Sequence, residues 1–128
     1  MKVKINGTLH TFTGQYTYYG IMSNNTVAIW GANDLGTSPK IFLQLLEPSL
    51  TVKKYSLYYV NPEAIAIYYT DFLTGFPSAA SQTGYFVEIT SYDSVNKVLT
   101  GKFSFNANVA GQMYNFTEGE FKLKYKQL

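Results

Sequence analysis

The sequence contains no cysteine and no arginine, and only 14% of its residues are charged. Without cysteine, neither disulfides nor thiolate metal sites can form. Without arginine, the chain lacks the side chain that proteins use for bidentate contacts with guanine and phosphate. Its net charge is only +2. We therefore expect no nucleic-acid partner.

Long apolar runs are also missing. No stretch approaches the roughly 20 apolar residues that cross a membrane as a helix, and residues 1–7 lack the apolar core of a signal peptide. We expect either an intracellular protein that starts at Met1 or a mature chain whose leader was removed. The length of 128 residues predicts a single domain, residues 1–128, with a core that needs no disulfide or metal.

Aromatic residues, in contrast, are abundant, with twelve Tyr, nine Phe and one Trp. Such residues favour strands and, where exposed, binding faces. The clearest alternation of apolar and polar residues lies in residues 84–125, and strict alternation is typical of half-buried strands. The chain shows no long helical pattern. It predicts an all-β fold, either a single antiparallel β-barrel or a two-sheet β-sandwich of eight to ten short strands joined by hairpins.

Three hairpin turns can be predicted. Asn6-Gly7 is a strong two-residue turn signal. A loop at residues 94–96 would place Ile89 opposite Gly101 and Val87 opposite Phe103, so we expect an odd-numbered loop there. A two-residue turn at Glu118-Gly119 would then set Phe116 against Phe121, and we expect Lys122, Lys124 and Lys126 to face solvent and to protect an edge strand.

The middle of the chain predicts further strands. The segment 40–46 is apolar on both faces, as in a central strand. Tyr55–Val60 predicts another strand, and residues 62–70 fit either a helix or a strand, of which we favour a strand preceded by one helical turn at 62–64. The longest loop signal is 71–83, whose apolar residues Phe72, Leu73 and Phe76 we expect to pack onto the core.

Three motifs resemble those of a known family. They are the strand Gly-Tyr-Phe-Val-Glu-Ile-Thr-Ser-Tyr-Asp at residues 84–93, Leu-Thr-Gly-Lys-Phe-Ser-Phe-Asn-Ala at 99–107, and Phe-Thr-Glu-Gly-Glu-Phe at 116–121. In this order they resemble the C-terminal part of a family of small, uncharacterised lipoproteins of Bacteroidetes, and Asn6-Gly7 resembles the first hairpin of that family. The resemblance implies an exported protein, periplasmic or anchored to the outer membrane by a lipid on a cysteine upstream of this chain. It implies no catalytic residue.

The inventory of reactive groups is poor. His10 is the only histidine, and a zinc site needs three or four ligands. Glu118 and Glu120 are expected at a turn in solvent, and no second carboxylate can be tied to Glu88 as glycoside hydrolysis would require. We expect no catalytic residue, metal or cofactor, and a hydrolase is the least favoured function.

The composition therefore favours a non-enzymatic binding module for a protein, a glycan or a small apolar molecule. The tyrosine pairs 18-19, 58-59 and 68-69 should place one ring on each face of a strand. A lipocalin-like carrier, with a ligand inside a closed barrel, is the alternative. As candidate ligand-binding residues we take Trp30, Tyr58, Tyr68, Phe72 and Phe76.

Overall fold

A computed structural model of the protein describes residues 1–34, 36, 39–48, 50–71, 73–78 and 84–128. These residues form eleven strands and no helix. The strands are β1 Lys2–Ile5, β2 Thr8–Thr11, β3 Tyr18–Ile21, β4 Val27–Ala32, β5 Lys40–Leu45, β6 Lys54–Ser56, β7 Ala64–Tyr69, β8 Gly75–Pro77, β9 Phe86–Asp93, β10 Val98–Val109 and β11 Gln112–Lys124. The count exceeds the predicted eight to ten, and one of the strands, β8, forms inside the predicted loop 71–83.

The strands build two antiparallel sheets. The six-stranded sheet has the order β2-β1-β11-β10-β9-β6, and the five-stranded sheet has the order β3-β4-β5-β7-β8. Single bridges join the two sheets, one between Tyr19 and Tyr125 and one between Ser78 and Ala107. The predicted all-β class is confirmed, and of its two architectures the two-sheet sandwich is the one observed.

Aromatic rings fill the space between the sheets. The rings of Phe105 and Phe116 stack with centroids 4.2 Å apart and planes 8° from parallel. Tyr68 of the five-stranded sheet packs against Phe116 at 4.9 Å, so this cluster joins both layers. Small residues, Ala64 and Ala66, point into the same core from β7, which leaves room for the large rings opposite.

Two of the predicted turns show how strand register is set. Asn6 and Gly7 both have positive φ, 50° and 85°, so the first hairpin has the predicted two-residue turn. Ile89 faces Gly101 and Val87 faces Phe103, also as predicted. The loop between β9 and β10 has four residues, 94–97, however, and a bulge at Thr90 restores the register. The expectation of an odd-numbered loop was therefore wrong.

The predicted hairpin at Glu118-Gly119 was wrong as well. Residues 112–124 form one continuous strand, and the chain turns earlier, at Ala110-Gly111. Phe116 pairs with Phe105, and Phe121 pairs with Gly101. Glu118 takes the positive φ, 53°, of a bulge in the middle of β11. The strand lies between β1 and β10 and is not the expected edge strand, although Lys122, Lys124 and Lys126 are exposed as expected.

The strands of the middle segment fall close to their predicted places. β5 lies in the centre of its sheet and is buried on both faces. Residues 64–69 form a strand, as favoured, but Asn61 has a φ of 55° and no helical turn forms at 62–64. β6 ends at Ser56, so the segment 57–60 is not the predicted strand.

The predicted loop 71–83 contains the short strand β8. Phe76 packs against the core as expected. Leu73 does not, because 83% of its surface is exposed. Phe72 and residues 79–83 lie outside the described residues.

Candidate functional site

The outer faces of the two sheets differ in chemistry. Across the middle of the six-stranded sheet, side chains of alternating charge occupy neighbouring positions on five strands. In cross-strand order they are Lys2, Glu120, Lys102, Glu88 and Lys54. Opposite charges at paired positions of adjacent strands stabilise a sheet, and charged side chains keep this face of the sheet in water. Glu88 thus lies on the outer face of this sheet.

The corresponding row of the five-stranded sheet carries no charge. In cross-strand order its residues are Tyr18, Trp30, Phe42, Ile67 and Pro77. Trp30 packs against Phe42 at 4.5 Å between ring centroids. In a two-layer sandwich the outer face is normally polar, because alternate residues point into water. Packing between the two sheets therefore does not account for the apolar residues of this outer row.

One end of this apolar face forms an open groove of about 370 Å³. Its lining residues are Tyr16, Tyr18, Trp30, Ala32, Lys40, Tyr69 and Leu73. The rings of Trp30 and Tyr69 lie 6.2 Å apart with planes 35° from parallel. Its size is at the lower end of the range for small-molecule sites, and three of its seven lining residues are tyrosines, which carry a hydroxyl at the tip of an apolar ring.

Lys40 supplies a charge at one side of the groove. It is almost fully buried, and its ammonium group lies 5.7 Å from the ring centroid of Tyr69. Hydrogen bonds from Leu73 and Thr74 lower the pKa of the Asp71 carboxyl, and the charge of Lys40 adds to this shift as the smallest cause.

A tight turn presents Leu73 at the edge of the groove. Asp71 Oδ1 accepts hydrogen bonds from the backbone N–H groups of Leu73, at 3.0 Å, and Thr74, at 2.9 Å. Its Oδ2 accepts one from the Thr74 hydroxyl at 3.2 Å. The side chain thereby replaces backbone partners, as in an Asx turn. Leu73 is held outward by these bonds.

Asp71 should make stability depend on pH at acid values. The Leu73 and Thr74 N–H groups, the Thr74 hydroxyl and Lys40 hold the pKa of its carboxyl below the ordinary value. A lowered folded pKa adds stability above about pH 4, which is lost as the pH falls through the folded pKa. We expect Asp71→Ala to be less stable than the parent protein at about pH 6 and to approach it at about pH 2, as measured by urea unfolding.

Asp71→Asn is the matched control, because its amide oxygen still accepts the N–H bonds but does not titrate. The difference between the asparagine and alanine variants should stay constant over this pH range. A parent-to-alanine difference that also stays constant would contradict the assignment of the effect to this carboxylate.

The C-terminal segment lies beside the groove. The Lys126 N–H donates to the Tyr19 carbonyl at 2.8 Å, which fixes residues 125–128 along the edge of β3. The Lys126 ammonium lies 4.8 Å from the ring centroid of Tyr18 and 6.0 Å from that of Tyr16. Leu128 covers Gly20, where a Cβ would approach the leucine Cγ to 2.7 Å. Burial raises the pKa of Tyr18.

The structure does not bring the predicted ligand-binding residues together. Trp30 lies in the groove. Tyr68 is on the inner face, with 6% of its surface exposed, and Phe76 packs against the same core. Tyr58 follows β6 and packs against Tyr59 at 5.0 Å. Phe72 lies outside the described residues. Of the candidates that are described, only Trp30 belongs to the groove.

Sequence reasoning missed Tyr16, Tyr18 and Tyr69 as groove residues. The expectation that each tyrosine pair splits between two faces is confirmed for 18-19 and 68-69, with Tyr19 and Tyr68 inside. It was wrong for 58-59, which lies outside any strand. The useful signal was cross-strand pairing of Tyr18 with Trp30, which single-strand patterns do not contain.

Outside the groove, ion pairs engage some of the titratable side chains. Lys53 forms ion pairs with Glu47 at 2.9 Å and Glu63 at 2.6 Å. His10 lies half-buried on β2, the edge strand of its sheet. Within the described ranges, no three histidine or acidic side chains come together as metal ligands would. The same part of the chain has no helix long and apolar enough to span a membrane.

Comparison with known proteins gives a family but no activity. A family model described as a domain of unknown function, DUF6252, matches residues 1–123. No curated protein and no solved structure matches the chain. The match extends well beyond the motifs at 84–125, since it includes the whole five-stranded sheet and its groove.

Proposed function

The chain belongs to this family of unknown function, and we propose that it is a non-catalytic binding module whose groove takes a carbohydrate. The observation that carries the proposal is the apolar outer row of the five-stranded sheet, set beside the charged row of the other sheet. Phe42 in the middle of this row is buried, but its neighbours in the row keep part of their surface exposed, and exposed apolar surface of this kind is typical of interaction sites.

The chemistry of the groove favours a sugar ring over a purely apolar molecule. A pyranose ring has one face of C–H groups and an edge of hydroxyls. The groove offers half-buried aromatic faces from Trp30 and Tyr69, and tyrosine rings that combine an apolar body with a polar tip. These two sets of groups complement each other.

The alternative function is a carrier of a small apolar ligand. Aromatic rings occupy the space between the sheets, where a lipocalin-like protein would hold its ligand. A carried molecule would therefore have to lie in the outer groove. The polar tyrosine tips and Lys40 around that groove make it the less favoured of the two functions.

Export and lipid anchoring in a Bacteroidetes cell form part of the proposal. The sequence motifs at 84–125 support them, and a surface location suits a glycan-binding module. Cell fractionation with metabolic lipid labelling of the full-length protein tests this part. Recovery in the cytosol without lipid would overturn it and would leave the groove chemistry in place.

Trp30 provides a direct test, because it is the only tryptophan in the chain. We expect oligosaccharides that bind in the groove to change its fluorescence and to bind Tyr16→Ser roughly tenfold more weakly. The matched control is Tyr59→Ser, since Tyr59 is 68% exposed and outside the groove. A panel of neutral and acidic oligosaccharides with no effect on Trp30, or equal weakening by both variants, would overturn the proposal.

A further inference from the structure

We propose that the carbohydrate is acidic and that its carboxylate pairs with Lys126. This inference rests on the proposed function and names the ligand class of that same groove. Lys126 places an ammonium group next to two rings of the lining, those of Tyr18 and Tyr16. A uronic acid, a sugar that carries a carboxylate on its ring, offers the complementary charge.

The position of Lys126 is determined by the backbone. Tyr125 and Lys126 donate N–H bonds to the carbonyls of Lys97, at 3.1 Å, and Tyr19, at 2.8 Å. Leu128, two residues on, packs over Gly20 of β3. The segment thus reaches the outer face of the five-stranded sheet, and the lysine side chain starts from a fixed point beside the groove.

Among the described residues, Lys126 forms no ion pair with a carboxylate, whereas two lysines, Lys4 and Lys53, do. Lys4 pairs with Glu118, and Lys53 pairs with two glutamates. The contacts of the Lys126 ammonium are with tyrosine rings. A cation held over aromatic rings keeps N–H groups available for an anion.

One ligand could contact both the aromatic rings of the groove and the Lys126 ammonium. Tyr16 and Tyr18 line the groove and lie next to the Lys126 ammonium, so a ring stacked on the groove aromatics with its carboxylate turned toward these two tyrosines would place that carboxylate near the lysine. An ammonium–carboxylate pair at a partly exposed site should change affinity by roughly 3- to 10-fold. It should also weaken as salt rises.

The test measures Trp30 fluorescence with acidic trisaccharides of galacturonate, glucuronate and mannuronate, each paired with its neutral methyl ester. We expect the acid to bind roughly 3- to 10-fold more tightly than its ester, and Lys126→Gln to abolish that preference. Lys124→Gln is the matched control, because it removes the same charge from the other sheet. Thermal unfolding of both variants checks that they fold.

The outcomes separate this inference from the proposed function. Equal binding of acid and ester, or equal loss with both lysine variants, overturns the acidic ligand and leaves carbohydrate binding in place. Binding of neutral oligosaccharides alone has the same meaning. If dodecanoate binds and no saccharide does, both are overturned in favour of the carrier. Acid preference that only Lys126→Gln removes supports both.

Discussion

Replacing Phe116 by alanine is expected to lower the free energy of unfolding by about 3–5 kcal/mol. The Phe116 side chain is fully buried, it stacks on Phe105 at 4.2 Å, and it contacts Tyr68 of the other sheet at 4.9 Å. Its removal leaves a cavity at the junction of both layers. Since domains are stable by only about 5–15 kcal/mol, urea unfolding should show a large shift of the midpoint.

Phe86→Ala is the control, because Phe86 lies half-buried on the outer face of β9, where the Lys54 ammonium covers its ring at 4.5 Å. We expect a loss of about 1 kcal/mol there. Equal losses at the two positions would contradict the view that the sheet-to-sheet aromatic cluster holds the sandwich together.

Much of the fold could be predicted because local signals and register agree. Asn6-Gly7 adopts the turn that its residue types favour, and the strand expected at 40–46 forms as β5, Lys40–Leu45. The error at Glu118-Gly119 has a physical cause. Phe116 and Phe121 are five residues apart and would face opposite sides of a regular strand. Either a two-residue turn or a one-residue bulge places both inside, and the sequence pattern does not distinguish them.

The candidate site could be predicted less well, because it depends on which face of a strand points outward. In β7 the bulky Ile65 and Ile67 point outward while Ala64 and Ala66 point inward. Hydrophobicity alone would place the isoleucines inside. The order is reversed because large rings of the other sheet fill the core and leave room only for alanine, a constraint that becomes visible once the sheets are packed.

The apolar face and the charged face together explain why composition pointed to binding but not to the site. The aromatic excess of the sequence serves two purposes, since some rings fill the core and others line the outer groove. Both sets alternate along the same strands, as Tyr18 and Tyr19 do. The pattern along one strand does not show which rings face the core and which face the groove. Their neighbours on adjacent strands do show it, and these neighbours follow from the register of the five-stranded sheet.

Gly101→Ala is expected to destabilise the protein strongly, although it adds only one methyl group to β10. A Cβ at Gly101 would meet the carbonyl oxygen of Glu88 and approach Cζ of Phe121 to 2.5 Å. The carbonyl belongs to the neighbouring strand and cannot move without breaking the register at the Thr90 bulge. Overpacking of this kind costs about 3 kcal/mol, which urea unfolding would measure.

Two further variants locate the origin of that loss. Gly36→Ala serves as the control, because its nearest neighbouring atom lies at 4.0 Å, and we expect a change within about 0.5 kcal/mol. Phe121→Leu, combined with Gly101→Ala in a double-mutant cycle, removes the ring but leaves the carbonyl contact. Full rescue by the leucine would show that the ring alone excludes a side chain at 101. Because the backbone contact remains, we expect most of the loss to persist.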